Sequence, residues 1–357
     1  MIKRIYTQIT AALLLFTACT ANLPDDGSQT PEDKGEPVNI AFEMYSADLT
    51  KAAKAVATEA MQEGKTFRIY AYNSTAGSTP DFTQTPVASA IYTVKKQDAG
   101  TPNEKLVATG DMKLYRGTYY MYLVSYNEES SYPELSSSGG KINVTNGKDF
   151  MYTTLENIIV QPTAPGGNSM TVPLPSPFIR LGSQVVVRAA AKNGSQPVSI
   201  DKLEVCEIKV SGLPASLDYT LGKTTWETNA DYAASYTYPG DGFKRYDVNG
   251  NPGSNTFDFW TSPAQVLLPV DGSSLLKFSV KLWVQYSSGT KEVTKEYPAS
   301  IQKVLLPGMA YVFDFTLTFY GEIVPSDLTL AVKEYNTIPL DTDGMGELYN
   351  LYKSDER

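Results

Sequence analysis

Runs in which apolar and polar residues alternate recur along the whole chain, and they constrain its fold more than any other feature. The first run places Val38, Ile40, Phe42 and Met44 at alternate positions. A period of two is typical of a strand with one buried face. Because similar runs recur between turns rich in Gly and Pro, the sequence predicts an all-β chain of short, regularly spaced strands.

Pro and Gly residues cluster between positions 161 and 177, and the strand pattern restarts after them. Domain boundaries commonly fall in such segments, because few contacts cross them. A chain of 357 residues is also long enough for two domains of ordinary size. We therefore predict two tandem β-sandwiches of about seven strands each, over residues 37–175 and 176–357.

One stretch departs from the strand pattern. Residues 51–63 are rich in Ala, Lys, Glu, Gln and Met, which are good helix formers, and Gly64 follows them. A run of helix formers that ends at Gly predicts a helix of about three turns. The same composition also fits a mobile segment, so the sequence leaves two interpretations open.

The N-terminus has the features of a secretory signal. Lys3 and Arg4 form a short positive region, residues 5–16 are mostly apolar, and Cys19 follows Thr-Ala. Small residues before a cysteine resemble the lipobox of bacterial lipoproteins, which are cut before a cysteine that then carries fatty acyl chains such as palmitate. We predict a signal peptide over 1–18, lipidation of Cys19 and a flexible acidic tether over 19–36. In the alternative, an ordinary signal peptide, Cys19 is incidental.

Composition argues against several classes of function. The sequence contains no His, which removes the commonest general base and metal ligand. The net charge of −9 argues against a nucleic acid partner. The second cysteine, Cys206, lies in a stretch of mixed apolar and charged residues over 200–210 and is interpreted as a packed core residue. We expect a protein that is not an enzyme and that binds no cofactor and no metal.

Aromatic residues allow a second functional interpretation. Tyr120 and Tyr122 belong to one Tyr-rich strand, where alternating Tyr side chains usually pack against neighbouring strands. Trp226 and Trp260, which lie near a long loop over residues 228–252, are better candidates for binding a ligand. The alternative function is therefore that of a monomeric surface lipoprotein that binds glycans.

Three segments resemble the fimbrillin (type V pilin) superfamily of Bacteroidales. Residues 114–127, LYRGTYYMYLVSYN, are similar to a family strand of the form L-x-x-G-x-Y that ends near Ser-Tyr-Asn. Residues 149–152, DFMY, resemble the segment that follows it. Residues 306–319, LPGMAYVFDFTLTF, are similar to the family's P-G-x-x-Y-x-F-x-L-T strand near the C-terminus. Together with the N-terminal signal, these motifs follow the family order along the whole chain.

The resemblance implies an all-β fold of two tandem transthyretin-like (Greek-key) β-sandwich domains and a mechanism of assembly. In polymerising relatives an outer protease cuts after the first strand, and a C-terminal strand from another subunit fills the exposed groove. The family cut commonly follows Arg, whereas the basic residues in that position here are Lys. The implied residues are Val38, Ile40, Phe42 and Met44 in the removable strand, Lys51 and Lys54 as cleavage sites, and Leu328, Leu330 and Val332 in a donor strand within 323–357.

We expect from this resemblance a structural subunit of a cell-surface fimbria that takes part in adhesion. Its expected partners are other fimbrial subunits, the outer membrane through the lipid on Cys19, and a surface ligand of the host or of another bacterium. A chain that is not cut should instead pair its C-terminal strand within itself. The last 25 residues, 333–357 (357 − 333 + 1), have no predicted role.

Overall fold

The structure is a computed structural model that describes residues 35–44, 58–59, 61–74, 79–136, 139–161, 167–193, 200–227, 231–247, 252–254, 258–286, 295–319 and 323–334. Within these ranges the regular structure consists of β-strands and one 3₁₀ turn, Gly240–Gly242, which confirms the predicted all-β class. No helix in this part of the chain is long and apolar enough to cross a membrane.

Strands follow one another closely along both halves of the chain. Those of the first half are β1 (Val38–Glu43), β2 (Thr58–Glu59), β3 (Thr66–Asn73), β4 (Ala88–Gln97), β5 (Lys105–Gly110), β6 (Lys113–Leu114), β7 (Gly117–Ser125), β8 (Lys141–Thr145), β9 (Met151–Val160), β10 (Ser169–Pro173) and β11 (Phe178–Arg180). Those of the second half are β12 (Ser183–Asn193), β13 (Ile200–Leu213), β14 (Ser216–Thr220), β15 (Ala234–Pro239), β16 (Lys244–Tyr246), β17 (Phe259–Thr261), β18 (Gln265–Leu267), β19 (Leu276–Tyr286), β20 (Lys295–Ile301), β21 (Met309–Phe319) and β22 (Ile323–Glu334).

The first sheet folds back over its own core. Its order is β10-β1-β5-β4-β3-β7-β9-β11-β2, and β6 also pairs with β1. Although β5 and β4 separate β1 from β3 in that order, the rings of Phe42 and Phe67 lie 6.3 Å apart between centroids. Apolar side chains from β1, β3, β4, β5, β7, β9, β10 and β11 fill the enclosed space.

Two sheets of the second half pack face to face as a β-sandwich. One has the order β16-β17-β12-β21-β22 with β18 on β12, and the other has the order β15-β13-β19-β20. Phe278 of β19 contacts Phe313 and Phe315 of β21, with ring centroids 4.8 and 5.2 Å apart. Buried Val, Leu and Ile side chains from both sheets complete this core.

A short antiparallel ladder connects the two halves. Strand β8 pairs with β14 from Ser216↔Thr145 to Thr220↔Lys141. Asn146 extends this contact, because its amide donates to the Pro214 carbonyl (2.7 Å) and its oxygen accepts from the Leu268 backbone N–H (2.9 Å). A third apolar cluster lies under the ladder and joins Tyr side chains of β3 and β7 to residues of β14.

The predicted domain boundary at residue 175 falls between two strands of the first sheet. Strand β10 pairs with β1, and β11 pairs with β9 and β2. The first sheet therefore extends to Arg180. The division of the chain into two domains at residue 175 remains a prediction.

Two expectations from the sequence are wrong where the structure describes them. Thr58 and Glu59, inside the predicted helix 51–63, form β2 and pair with Ile179 and Phe178; residues 51–57 lie outside the described ranges. Pairing with a neighbouring strand here outweighs local helix propensity, which is a weak preference. Cys206 is exposed and does not pack in a core, because it alternates with the buried Val205 on β13.

We expect Gly212→Ala to lower the free energy of unfolding by about 2–4 kcal/mol. Gly212 has φ +84° at the register shift between Ser211 and Leu213, and an added Cβ would lie 2.2 Å from the Leu275 carbonyl oxygen. Gly100 is the matched control, because its φ is +77° but its Cβ would have no neighbour within 4 Å. Urea denaturation should show a smaller loss for Gly100→Ala, and equal losses would contradict the steric argument.

Candidate functional site

The first strand lies inside its sheet, where it pairs with neighbours on both sides. Strand β1 runs parallel to β10, in register from Asn39↔Ser169 to Glu43↔Pro173. On its other side it runs antiparallel to β5 and β6. Removal of β1 would therefore leave a gap with unpaired backbone groups on β10, β5 and β6, and such groups favour the addition of another strand.

The side chains of β1 fill the core of the first sheet. Val38, Ile40, Phe42 and Met44 are each no more than 5% exposed. The Phe42 ring packs edge-on against Tyr92, with centroids 5.1 Å apart, and contacts Phe67. These residues confirm the buried face that the alternating pattern predicts. A strand that replaced β1 would have to supply apolar side chains with the same spacing.

Polar contacts also hold β1 in place. The buried Tyr92 hydroxyl donates a hydrogen bond of 2.7 Å to the Ile40 carbonyl oxygen. Burial raises the pKa of Tyr92 above its usual value, so the hydroxyl keeps its proton and remains a donor. At the end of the strand, the Lys105 ammonium lies 2.9 Å from the Glu43 carboxylate.

The candidate donor strand pairs within its own chain. Strand β22 runs antiparallel to β21, in register from Met309↔Glu334 to Phe319↔Ile323, with a shift near Leu317. It is the last strand in the described order of its sheet. Leu328, Leu330 and Val332 belong to this strand, opposite Phe315, Phe313 and Tyr311. Cys19, Lys51 and Lys54 lie outside the described residues, so their predicted roles remain predictions.

The two halves repeat one arrangement of strands. In the first half β1 lies between a parallel strand, β10, and antiparallel strands, β5 and β6. In the second half β12 lies between the parallel strand β21 and the antiparallel strands β17 and β18. The halves differ beyond the parallel strand. In the second half β22 pairs with the outer side of β21, whereas β10 is the last described strand of its sheet.

A buried ion pair joins β12 to β21. Arg188 and Asp314 are register partners, and the guanidinium donates to both carboxylate oxygens of Asp314. Both side chains are at most 5% exposed. Burial raises the pKa of Asp314, and the hydrogen bonds and charge of Arg188 oppose that shift. The pair fixes β21, on which β22 lies, against the centre of its sheet.

A cavity of about 540 Å³ lies at the edge of the second half, beside the ladder of β8 and β14. Trp226 and Tyr232 line it together with the apolar residues Val270, Leu305 and Leu306. The Trp226 indole N–H donates to the Leu181 carbonyl oxygen (2.8 Å), so the ring is held in position. Of the two Trp residues predicted as ligand candidates, this one borders a cavity.

Trp260 lies in a different environment. It belongs to β17, pairs with Ala189, and packs against the core of the second half. The Arg245 guanidinium carbon lies 5.2 Å from its ring centroid. Trp226 belongs to the third cluster and contacts Phe150. The structure therefore does not bring the two Trp residues into one site.

Tyr side chains of the predicted Tyr-rich strand pack in cores, as the sequence indicates. Tyr120 and Tyr122 are 8% and 4% exposed, and Tyr122 packs edge-on against Tyr72 with centroids 6.0 Å apart. Within the described ranges, no group of three His, Cys, Asp or Glu residues is placed to hold a metal ion.

The chain is an all-β protein. Its first sheet folds back over its own core, and two sheets of its second half form a β-sandwich. No protein-family model matches the chain, and no curated protein matches its sequence. Solved structures do resemble it. A candidate cell adhesion protein from Bacteroides fragilis NCTC 9343 has a TM-score of 0.47 and 17% identity, and the match covers 84% of this chain and 97% of that one.

Two fimbrial proteins of Porphyromonas gingivalis are also similar in structure. The fimbrial anchor protein Mfa2 has a TM-score of 0.39 and 10% identity, over 82% of this chain and 97% of its own. The tip fimbrial protein Mfa3, solved with a C-terminal truncation, has a TM-score of 0.35 and 10% identity, over 84% and 99%. At these scores and identities the structural similarities carry no argument about family or function, so the proposal below rests on the strands of this chain.

Proposed function

We propose that the chain is a structural subunit of a cell-surface fimbria, exported as a lipoprotein through Cys19, whose subunits join by strand exchange. In this proposal β1 is cut away after Lys51 or Lys54, and β22 of another subunit replaces it. The single observation that supports the proposal most is the contrast between these strands. The first is paired on both sides and its apolar side chains are buried, and β22 is the last described strand of its sheet.

The groove favours exchange on energetic grounds. As the last described strand of its own sheet, β22 pairs with β21 on one side. In the place of β1 it would pair with β10 on one side and with β5 and β6 on the other. Relative to the same side chain in water, each apolar side chain that it buried there would contribute roughly 1.5–3 kcal/mol, before the cost of ordering the strand.

The sequence of β22 fits the groove. Leu328, Leu330 and Val332 alternate in the same way as Ile40, Phe42 and Met44. An alternating strand presents these three side chains on one face. The position of the cut and the role in adhesion come from the resemblance to fimbrillins, and they share the test that follows.

Deleting residues 324–357 is expected to abolish the oligomers that form after protease treatment, because the donor strand is then missing. The oligomers should appear as a ladder of heat-sensitive bands on a gel. A sharper test replaces Leu328, Leu330 and Val332 with Ser and compares this variant with a control that carries Ser at Thr329, Ala331 and Lys333. Oligomers that persist in the first variant, or that disappear equally in both, would refute donation by β22.

N-terminal sequencing of the mature surface protein tests the processing step separately. A start at Ala52 or Ala55 would support removal of β1, and it should move if Lys51 or Lys54 is replaced with Ala. An acylated Cys19 on an oligomeric subunit would show that β1 is retained and that exchange does not require the cut.

A further inference from the structure

The end of β22 lies beside the cavity at Trp226. In the ladder with β21, Glu334 is the partner of Met309. Leu306 and Pro307, which line the cavity, come three and two residues before Met309. The Met309 backbone N–H donates to the Leu306 carbonyl oxygen in a turn (3.3 Å), which keeps these positions together. The chain therefore leaves its last described strand next to the cavity.

The residues that follow β22 have the length and polarity to enter it. The sequence continues for 23 residues after Glu334 (357 − 334). Its first part, residues 335–340, reads YNTIPL and has no charged side chain, and Asp341 begins an acidic part. Six extended residues span up to about 20 Å. Ile338 and Leu340 can therefore reach a site that begins a few residues away from Glu334.

The cavity presents apolar surface that lacks a cover in the described part of the chain. Val304 and Leu306 line it and are 40% and 53% exposed, although large aliphatic side chains are usually buried. Val270 and Leu305 form a backbone bridge in its wall. Covering Val304 and Leu306 would remove apolar surface from water, which is favourable.

The two acidic side chains that line the cavity, Glu227 and Asp271, are already engaged within the protein. The two carboxylate oxygens of Glu227 accept from Lys141 (2.6 Å) and from the Thr220 hydroxyl. Asp271 accepts from the Ser273 backbone N–H (2.8 Å). A glycan needs hydrogen-bonding partners for its hydroxyl groups, whereas the aliphatic side chains of Ile338 and Leu340 need none and match the exposed Val304 and Leu306.

We propose that residues 335–340 of the same chain occupy this cavity, with Ile338 and Leu340 against Trp226, Val304 and Leu306. Occupation would hold the C-terminal end of β22 on its own subunit. Residues 335–340 would then anchor the strand that precedes them. A subunit that never exchanges strands would still place this segment at the same edge, so occupation of the cavity does not require fimbrial assembly.

A disulfide test uses the full chain with Cys19 and Cys206 replaced by Ser. The variant pair Leu306→Cys and Ile338→Cys should form a cross-linked monomer several-fold faster than a control pair, Ile159→Cys and Ile338→Cys. Ile159 is a suitable control because it is 61% exposed on β9, in the first sheet. Equal rates for the two pairs would overturn the proposal. Cross-linked dimers without cross-linked monomer would also overturn it, because they would place the segment of a second copy in the cavity.

Fluorescence gives an independent readout that needs no cross-link. In a full chain with Trp260→Phe and Trp283→Phe, the emission reports Trp226 alone. Ile338→Asp with Leu340→Asp should shift this emission to longer wavelength, because the Trp226 ring would become more exposed to water. The control, Met345→Asp with Leu348→Asp, should leave it unchanged. No shift in the first variant, or a shift caused by a polysaccharide and not by the tail substitutions, would overturn the proposal.

Discussion

Phe42→Ala is expected to lower the free energy of unfolding by about 3–5 kcal/mol, because it empties the centre of the first core. The Phe42 side chain is fully buried and contacts the rings of Phe67 and Tyr92. The loss should appear in urea denaturation followed by circular dichroism of the β-sheet signal. The same substitution should also loosen β1, so a protease should release that strand faster than it does from the unmodified chain.

Asn39→Ala provides the control on the same strand. Asn39 is exposed and alternates with the buried Val38 and Ile40. We expect its substitution to change stability by no more than about 0.5 kcal/mol. If Phe42→Ala lowered the free energy of unfolding no more than Asn39→Ala does, the buried face of β1 would contribute little to the first core. Removal of β1 would then not expose an apolar groove that another strand could fill.

Asp314→Ala is expected to cost about 3–5 kcal/mol, because it leaves a buried guanidinium without its carboxylate. Arg188 and Asp314 are register partners on β12 and β21, and both are buried. Tryptophan fluorescence during denaturation can report the loss, since Trp260 and Trp283 lie on β17 and β19 of the same half.

An exposed pair shows how much of that loss is due to burial. The ammonium of Lys202 lies 2.7 Å from the Glu204 carboxylate, with side chains 56% and 44% exposed. We expect Glu204→Ala to cost at most about 1 kcal/mol. The double variant Arg188→Met and Asp314→Leu should recover part of the stability lost in Asp314→Ala. If the double variant were less stable than Asp314→Ala, the ion pair would itself stabilise the fold and would not merely avoid an unpaired buried charge.

The alternation of apolar residues predicts buried faces well but not neighbours. It identifies the face of β1 that carries Ile40 and Phe42, because a strand repeats every two residues whatever lies beside it. It gives no sign that β10 pairs with β1, since β10 lies in the Pro- and Gly-rich stretch interpreted as a boundary. Its side-chain pattern, with Met170 and Val172 between polar residues, is a short signal that Pro173 obscures.

Long-range contacts explain the other differences between prediction and structure. Glu59 lies among helix formers, but it pairs with Phe178, far along the chain. Trp226 could be singled out from the sequence, yet Val304 and Leu306, which form the cavity with it, come from a segment that precedes β21. Local sequence carries propensity and periodicity, whereas contacts between residues far apart in the sequence depend on how distant segments pack.

Because β1 pairs with a parallel strand on one side and with antiparallel strands on the other, the groove that its removal would leave has a direction. One rim, β10, runs parallel to β1, and the other rim runs antiparallel to it. Parallel and antiparallel ladders differ in hydrogen-bond pattern, so only one orientation of an incoming strand reproduces both. Under the proposed exchange, donor and acceptor are different surfaces of each subunit, and such heterologous contacts form open filaments unless their rotation closes a ring. A fibre built in this way would have two unlike ends, one presenting an empty acceptor and the other an unused donor, and it could grow by a different reaction at each.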